Sequence, residues 1–323
     1  MRTRTKVWLI TAASLALIGC ILFAGVMITL KWDFMELATV KYETNTYEIS
    51  NAFDSISVNT DTADMTFAFS DDGKCRVECH EEEKAKHSVA VEDGTLVIEL
   101  IQERTVYDLI GYIGLNFDTP KITVYLPKTE YAFLHIKEST GDIDIPKDFC
   151  FNNVAISLST GDVNFSASAS ELIKIKTSTG DICVENISAD ALDLTASTGK
   201  VTVFGGTCDG DVTVGVSTGK VTLADTRCKS VISNGSTGDI LLNDVIATEK
   251  FSIERSTGDV TFTGCDCAEI YVKTDTGDVN GTLLSDKVFI TETDTGSINV
   301  PNSIVGGRCE ITTDTGDIKI AID

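Results

Sequence analysis

Ten Thr-Gly pairs recur through the second half of the sequence at an almost constant spacing. Each pair follows Ser or Asp and precedes Asp, Lys or Ser, and neighbouring glycines lie 19 or 20 residues apart. A period of this length without drift is typical of a solenoid, in which one structural unit stacks on itself. The glycines are Gly141, Gly161, Gly180, Gly199, Gly219, Gly238, Gly258, Gly277, Gly296 and Gly316.

Apolar residues flank each glycine with a period of two. With Gly180 as position zero, Ile173 and Ile175 lie at −7 and −5, and Ile182 and Val184 lie at +2 and +4. Position +2 is Ile or Val in all ten repeats. Such alternation predicts strands with one buried face, and glycine suits a tight corner between them. Each repeat is therefore predicted to be strand, Thr-Gly turn, strand and polar turn.

The repeats predict an all-β fold, a single elongated β-solenoid. About ten rungs of 19–20 residues occupy residues 134–323, stacked in parallel about 4.8 Å apart. The segment from Ile56 to Phe67 fits the same frame with Ala63 at position zero. Residues 47–133 are otherwise less regular and are predicted to form the N-terminal β cap that such a stack needs. The chain stops three residues after Ile320, so we expect a bare last rung that is open to self-association.

Residues 7–30 are predicted to be a transmembrane helix. They carry no charge, and as a helix they would be about 36 Å long, enough to span a bilayer. Because Arg2, Arg4 and Lys6 precede them, the positive-inside rule places a tail of residues 1–6 in the cytosol and the solenoid outside the cell. The sequence therefore predicts a single-pass protein of the cell membrane, with residues 31–46 as a linker.

Two other interpretations of this apolar segment stay open. A cleaved signal peptide disagrees with the length of the run and with the lack of a small-x-small site at its end. A lipoprotein signal is suggested by Leu17 to Cys20, which resembles a lipobox, but the apolar stretch continues to Leu30. We favour the uncleaved anchor, and lipidation of Cys20 remains the main alternative.

The charge of the chain limits its partners. All 49 acidic residues lie at or after Asp33, and the formal net charge is −23. Such a surface repels nucleic acid and anionic lipid and favours cations or basic partners. The plainer interpretation is that the charge keeps a long rod soluble. The sequence predicts no nucleic-acid partner.

The ten cysteines are predicted to be small buried apolar side chains. Cys75 and Cys79 alternate with polar neighbours, and Cys309 occupies position −7. Four others follow a glycine by nine residues: Cys150, Cys208, Cys228 and Cys267. Of these, Cys208 and Cys228 are expected to be neighbours in the stack, close enough for a disulfide bridge.

The sequence predicts no metal site built on cysteine and histidine. No Cys-x-x-Cys pair occurs. The histidines do not pair with cysteines at the spacing typical of zinc sites. They are His80, His87 and His135.

Two catalytic motifs occur inside the repeat and are explained by it. The Asp-Thr-Gly triplets that begin at Asp275, Asp294 and Asp314 match the aspartic-protease signature, which needs two carboxylates facing each other. Residues 215–219 match the nucleophile elbow, which needs a strand-to-helix turn and a histidine, yet Ser217 is one of several equivalent serines. We therefore predict no catalytic residue, no cofactor and no enzyme.

The aspartates of the last three repeats form the one candidate metal site. Stacked about 4.8 Å apart, Asp275, Asp294 and Asp314 would repel one another unless a cation such as calcium bridged them. The simpler interpretation, which we favour, is that each carboxylate accepts backbone N–H groups of its own turn. No metal is therefore predicted, and these three residues are the candidates to test.

The threonine before each glycine is expected to point into the corner. It shares parity with the inward positions −7, −5 and −3. Thr-x-Thr ladders on the outside of flat solenoids can bind ice, and an inward threonine argues against that function.

The repeated Ser-Thr-Gly-Asp motif, following a segment such as residues 122–127, resembles a bacterial domain-of-unknown-function family of surface proteins called "putative adhesins". The resemblance covers residues from about 47 to 323. It implies a β-solenoid, often anchored by one N-terminal helix, and it carries over no catalytic or ligand residues. From the sequence we expect no C-terminal sorting signal of the kind that sorted wall adhesins carry.

We therefore expect a membrane-anchored extracellular adhesin or binding protein without catalytic activity, with an unknown protein or glycan as its ligand. The uniform period leaves no room after Ser139 for the long loops that carry enzyme sites on solenoids. The alternative is an envelope-stress or regulatory sensor that acts through a membrane partner.

Overall fold

The computed structural model describes residues 3–33, 40–102 and 118–323. Helix α1 spans Thr3–Thr29, and its segment Lys6–Thr29 is long and apolar enough to cross a membrane. The predicted span 7–30 thus coincides with a helix. The first two residues of the predicted tail 1–6 and part of the predicted linker 31–46 lie outside the described residues.

Seven strands form the N-terminal cap and the first turns of the stack. They are β1 Tyr42–Ile49, β2 Ser55–Asn59, β3 Asp64–Phe69, β4 Cys75–Glu82, β5 Ala85–Glu92, β6 Thr95–Gln102 and β7 Lys121–Leu126. Strand β1 begins inside the predicted linker 31–46.

Nineteen strands follow. They are β8 Glu130–Thr140, β9 Ile143–Ile145, β10 Cys150–Thr160, β11 Val163–Phe165, β12 Ser168–Thr179, β13 Ile182–Ala189, β14 Ala191–Thr198, β15 Val201–Cys208, β16 Asp211–Thr218, β17 Val221–Thr237, β18 Ile240–Asn243, β19 Ile246–Thr257, β20 Val260–Cys265, β21 Glu269–Thr276, β22 Val279–Leu283, β23 Lys287–Thr295, β24 Ile298–Asn299, β25 Gly307–Thr315 and β26 Ile318–Ile322.

Each repeat forms one rung of two walls that meet at the glycine. Equivalent positions pair in parallel between rungs, so Ile173 lies beside Val154 and Leu192. The predicted inward positions are buried almost throughout and form one continuous core. Repetition of an alternating pattern therefore produces the predicted β-solenoid, because each apolar side chain covers its equivalent in the next rung.

The corner requires glycine for two reasons. Gly199 has a φ of 147°, a region that side chains disfavour, and a Cβ there would lie 1.9 Å from the carbonyl oxygen of Gly180. The same close approach links most successive corners of the stack. The N–H of Gly199 donates to Thr218 O of the next rung at 3.0 Å. The corner glycines thus let rungs approach at backbone contact distance.

The rung predicted from Ile56 to Phe67 is confirmed. Ile56 pairs with Leu134, and the N–H of Ala63 donates to Thr140 O at 3.1 Å, so Ala63 takes the corner position. The pair β6 and β7 stacks on the outer side of this rung.

The cap then changes to antiparallel pairing. Strand β5 pairs with β6, β4 pairs with β7, and β1 pairs with β4. Antiparallel strands cannot continue the repeat, so they end the parallel stack on this side.

The last two rungs are stacked out of sequence order. Strand β25 lies between β21 and β23, and β26 lies between β22 and β24. The expectation of a bare C-terminal rung is therefore wrong, because the final rung is covered on both sides. The end of the stack is formed by β23 and β24 instead.

The end rung differs from the others in composition. Thr291 stands at −5, where the inserted rung has the buried Ile311. Ile298 at +2 is 45% exposed, whereas Ile318 is fully buried. A rung with fewer apolar inward residues is suited to an end position, because less apolar surface is left in water.

Candidate functional site

The threonines that precede the glycines lie on the surface, so the expectation that they point into the corner is wrong. All ten are exposed, as are the ten residues before them. In the pairing of β10 with β12, Leu158 lies beside Thr177 and Thr160 lies beside Thr179, but the residues between them are not paired. This irregularity reverses the parity that alternation predicts, so the threonine column faces solvent beside a Ser/Asp column.

The aspartate after the glycine has a structural role. The N–H of Asp162 donates to Asp142 Oδ1 at 2.8 Å, and the N–H of Asp181 donates to Asp162 Oδ1 at 2.7 Å. Asp239, Asp259, Asp278 and Asp317 repeat this contact further along the stack. Each carboxylate thus satisfies a corner N–H of the adjacent rung, which Lys200 and Lys220 cannot do.

The candidate calcium residues Asp275, Asp294 and Asp314 are exposed. Because the last rungs exchange places, Asp314 lies in the rung between those of Asp275 and Asp294. Within the described ranges, their carboxylates do not belong to a group of three converging metal-ligand atoms. The prediction that these residues bind no metal is not tested by the geometry, and a calcium-binding measurement would test it.

The cysteines mostly occupy the predicted inward positions. All ten are free thiols, including the neighbours Cys208 and Cys228, and Cys75, Cys79 and Cys309 are buried. Cys150 is exposed instead, because the buried Phe149 and Phe151 on either side of it take the inward positions. Burial raises the pKa of Cys228 to about 12, so this thiol stays protonated at neutral pH.

A cleft of about 660 Å³ opens in the cap between the ends of β1 and β3 and the starts of β4 and β8. Four aromatic residues contribute to its lining: Phe53, Phe69, Tyr125 and Tyr131. Charged residues line it as well, among them Glu48, Asp71, Asp72, Lys74 and Arg76. Rings and charged groups at the ends of several strands are the usual composition of a binding pocket.

Packing behind the cleft holds its rings in place. Phe53 stacks on Tyr131 with ring centroids 6.0 Å apart, and Phe69 stacks on Phe149 at 4.1 Å. The Tyr131 hydroxyl donates to Pro127 O at 3.0 Å, and burial raises the pKa of Tyr131. The rings thus form a rigid lining, which lowers the entropic cost of binding.

A cation lies over the Tyr125 ring of the cleft. The Arg76 guanidinium carbon is 4.2 Å from the centroid of the Tyr125 ring, and Arg76 Nε lies 3.2 Å from Glu78 Oε1. The buried Ser70 hydroxyl oxygen has no hydrogen-bond partner in the described part of the chain. Neutral polar, ionic and aromatic groups therefore all line the same cleft.

Beside the core of the cap, the structure brings together Cys79, Glu81 and His87. One donor atom of each lies within 4.8 Å of the other two, and all three side chains are buried. Burial alone would raise the pKa of Glu81, but hydrogen bonds from the side chains of His87 and Asn45 lower it below its usual value. Burial also raises the pKa of Cys79 to about 12.

Sequence spacing did not identify either of these sites. Cys79 and His87 lie eight residues apart, and they meet because β4 and β5 form a hairpin. The cleft is assembled from three separate segments that carry no motif. The alternation of Cys75, Val77, Cys79 and Glu81 along β4 was the one available signal, since it places Glu81 on the inward face.

Comparison with known proteins gives a family and a fold. The family model described as Toastrack DUF4097 matches residues 53–215 and 206–323. No curated protein matches the sequence.

Several crystal structures are similar to the chain. A protein named "putative lipid binding protein" from Parabacteroides distasonis is 22% identical, with a TM-score of 0.51, and the match covers 76% of this chain and 98% of that one. A "putative adhesin" from Parabacteroides merdae is 12% identical, with a TM-score of 0.46 and coverages of 76% and 97%. A "putative adhesin" from Bacteroides fragilis is 16% identical, with a TM-score of 0.40 and coverages of 87% and 97%. At 22% identity the likeness to the Parabacteroides distasonis protein concerns the fold alone.

Proposed function

Starting from a chain that belongs to the Toastrack DUF4097 family, we propose that it is a membrane-anchored extracellular adhesin without catalytic activity. Its cap cleft binds a surface glycan. The observation that supports this function is the combination of rigid aromatic rings with carboxylates and a guanidinium in one open cleft. Sugar rings place C–H groups on aromatic faces and hydroxyl groups against charged or amide groups, so this lining suits them.

The arrangement of the chain supports the proposed location. Arg2, Arg4 and Lys6 precede an apolar helix, which by the positive-inside rule leaves the solenoid outside the cell. The proposed ligand class agrees with the acidic surface, because a neutral glycan is not repelled by it.

A binding assay with paired variants tests the proposal. The full-length protein in nanodiscs is immobilised and exposed to purified cell-wall polysaccharides, host glycans and matrix proteins. We expect saturable glycan binding that Tyr125→Ala and Phe53→Ala each weaken about 10-fold, the effect of roughly 1.4 kcal/mol of lost stacking. Phe204→Ala is the matched control, since Phe204 is 46% exposed and lies on β15. Binding that all three variants retain equally would exclude the cleft.

The alternative function is a sensor that acts through a membrane partner. It is favoured by the position of the cleft in the cap, the part of the ectodomain that follows the helix in sequence. Replacing residues 7–30 by an unrelated apolar helix distinguishes the two functions. Glycan binding that survives the replacement supports the adhesin. The sensor is supported if the protein binds none of the glycans and if a membrane protein that co-purifies with it is lost on replacement.

A further inference from the structure

The buried cluster of Cys79, Glu81 and His87 has the geometry of a metal site. Cys79 and Glu81 are two residues apart on β4 and so share its inward face, while His87 comes from β5 of the same hairpin. The exposed fractions of the three residues are 0%, 0% and 4%. Charged or polar groups buried this deeply need partners, and these groups have chiefly one another.

The outer atoms of the two ionisable ligands are already held in place. Asn45 Nδ2 donates to Glu81 Oε1 at 2.8 Å, and His87 Nε2 is hydrogen-bonded to Thr60 Oγ1 at 2.8 Å. Consequently Glu81 Oε2 and His87 Nδ1 face each other, 2.7 Å apart. Metal ligands in proteins are usually oriented in this way, by hydrogen bonds to the atoms that do not bind the metal.

The Cys79 thiol completes the set. It is fully buried, it lies within 4.8 Å of the other two donor atoms, and its sulfur makes no hydrogen bond to any described residue. The thiol lies close to a carboxylate and an imidazole and has no other partner. It is therefore available to a ligand between them.

We propose that Cys79, Glu81 and His87 bind a zinc ion. Thiolate, imidazole and carboxylate are the donors that zinc takes in proteins, and three protein ligands leave the fourth tetrahedral position to water. Two anionic ligands neutralise the charge of the ion, which removes the cost of burying it.

The protons balance in a simple way. Zinc displaces the thiol proton of Cys79, which leaves to solvent, and it binds Glu81 as the carboxylate. In the metal-free site His87 Nδ1 carries the proton that Glu81 Oε2 accepts, because an ionised carboxylate cannot donate. Zinc binding removes that proton from Nδ1, and Nε2 takes one up from solvent and donates to Thr60 Oγ1, so His87 changes tautomer and the Cys79 proton is the only one released overall. The hydrogen-bonded contacts with Asn45 and Thr60 are thus retained. The backbone N–H of His87, whose nitrogen lies 2.6 Å from Glu81 Oε2, keeps a carboxylate partner.

The competing explanation is a purely structural Glu81–His87 pair. It predicts no metal uptake and no role for the thiol. Cys75 provides the matched control, because it lies on the same face of β4 and is 5% exposed but is not one of the three converging donors.

The test uses the full-length protein in detergent, with cobalt as the first probe and zinc as the second. We expect Co²⁺ to give a thiolate charge-transfer band in the wild type and in Cys75→Ser, and Zn²⁺ to displace it at one equivalent. Cys79→Ser loses the band and binds zinc at least 10-fold more weakly. Zinc raises the Tm of the wild type and of Cys75→Ser, because the assembled site binds the ion more tightly than the unfolded chain does.

Each remaining outcome overturns the proposal. Absence of the cobalt band in the folded wild type excludes a thiolate ligand without reference to any variant. A band that persists in Cys79→Ser assigns the thiolate ligand to another cysteine and places the metal outside the proposed site. Glu81→Gln, which keeps the size of the side chain, must also weaken zinc binding, and an unchanged affinity would leave the carboxylate outside the site.

Discussion

At the scale of single residues, position −3 of the repeat points into the core yet carries side chains of very different polarity. Glu138 and Arg255 are both only 3% exposed there. Arg255 fills the space left by Gly235 of the adjacent rung, where a Cβ would collide with its guanidinium, and its Nη1 donates to Val216 O at 2.7 Å. Hydrogen bonds to this carbonyl and to Ser233 Oγ hold the guanidinium in the core, although burial lowers the pKa of Arg255.

Glu138 makes the stability of the first regular rung depend on pH. Its Oε1 accepts the Ala63 N–H at 3.0 Å, but its buried Oε2 has no partner among the described residues. Burial raises the pKa of Glu138 from 4.5 to about 8. The folded state therefore holds a proton that the unfolded state releases near pH 4.5, and this contribution to stability is lost as the pH rises from about 4.5 to 8.

We predict that Glu138→Gln removes this pH dependence. Between pH 4.5 and 8.5 the free energy of unfolding of the wild type should fall by on the order of 4 kcal/mol relative to that of the variant, at about 1.4 kcal/mol per pKa unit. The variant should be the more stable protein at pH 8.5. Denaturant unfolding of both proteins at each pH measures the difference, and parallel pH profiles would contradict a buried, protonated Glu138.

At the scale of the rung, the aspartate after each glycine joins neighbouring corners. We predict that Asp162→Ala lowers stability by about 1 kcal/mol, because the N–H of Asp181 loses its acceptor. Asp162→Asn should lose less, since its amide oxygen can still accept. Thermal unfolding measures both.

Lys220→Ala is the control for this ladder. Lys220 occupies the same column, is exposed and offers no acceptor, so its removal should change stability by less than about 0.5 kcal/mol. Equal losses for Asp162→Ala and Lys220→Ala would contradict a stabilising role of the corner hydrogen bonds.

The sequence predicted those features that follow from repetition. Alternation around the glycine identified the buried positions, and it identified the irregular rung in which Ala63 takes the corner, because both walls of every rung face one core. The outward threonines were mispredicted, since parity fails where the ladder skips a residue. The cleft and the Cys79 cluster were missed because the cap is antiparallel and brings together residues without a common period.

At the scale of the whole molecule, the order of the rungs is not the order of the sequence. Rungs with the same pattern present equivalent faces, so repetition alone does not decide which one lies at the end. The apolar residues Ile311, Ile318 and Ile320 favour an interior place for the last rung. The segment between β24 and β25 contains Gly306 with a φ of 102° and lets the chain turn back into the gap.

Hydrogen exchange provides the test of this order. In a parallel sheet, successive amides of a strand point to opposite neighbours, so the edge strand β23 leaves alternate amides without a backbone partner, whereas β25 is paired on both sides. We predict that the amides of β25 exchange at least about 10-fold more slowly than those of β23, because local opening starts at the edge. Stacking in sequence order predicts the reverse, with β25 as the edge. Strand β21 is interior in either order and serves as the slow reference. Exchange of the β25 amides that is faster than that of the β23 amides would refute the inserted rung.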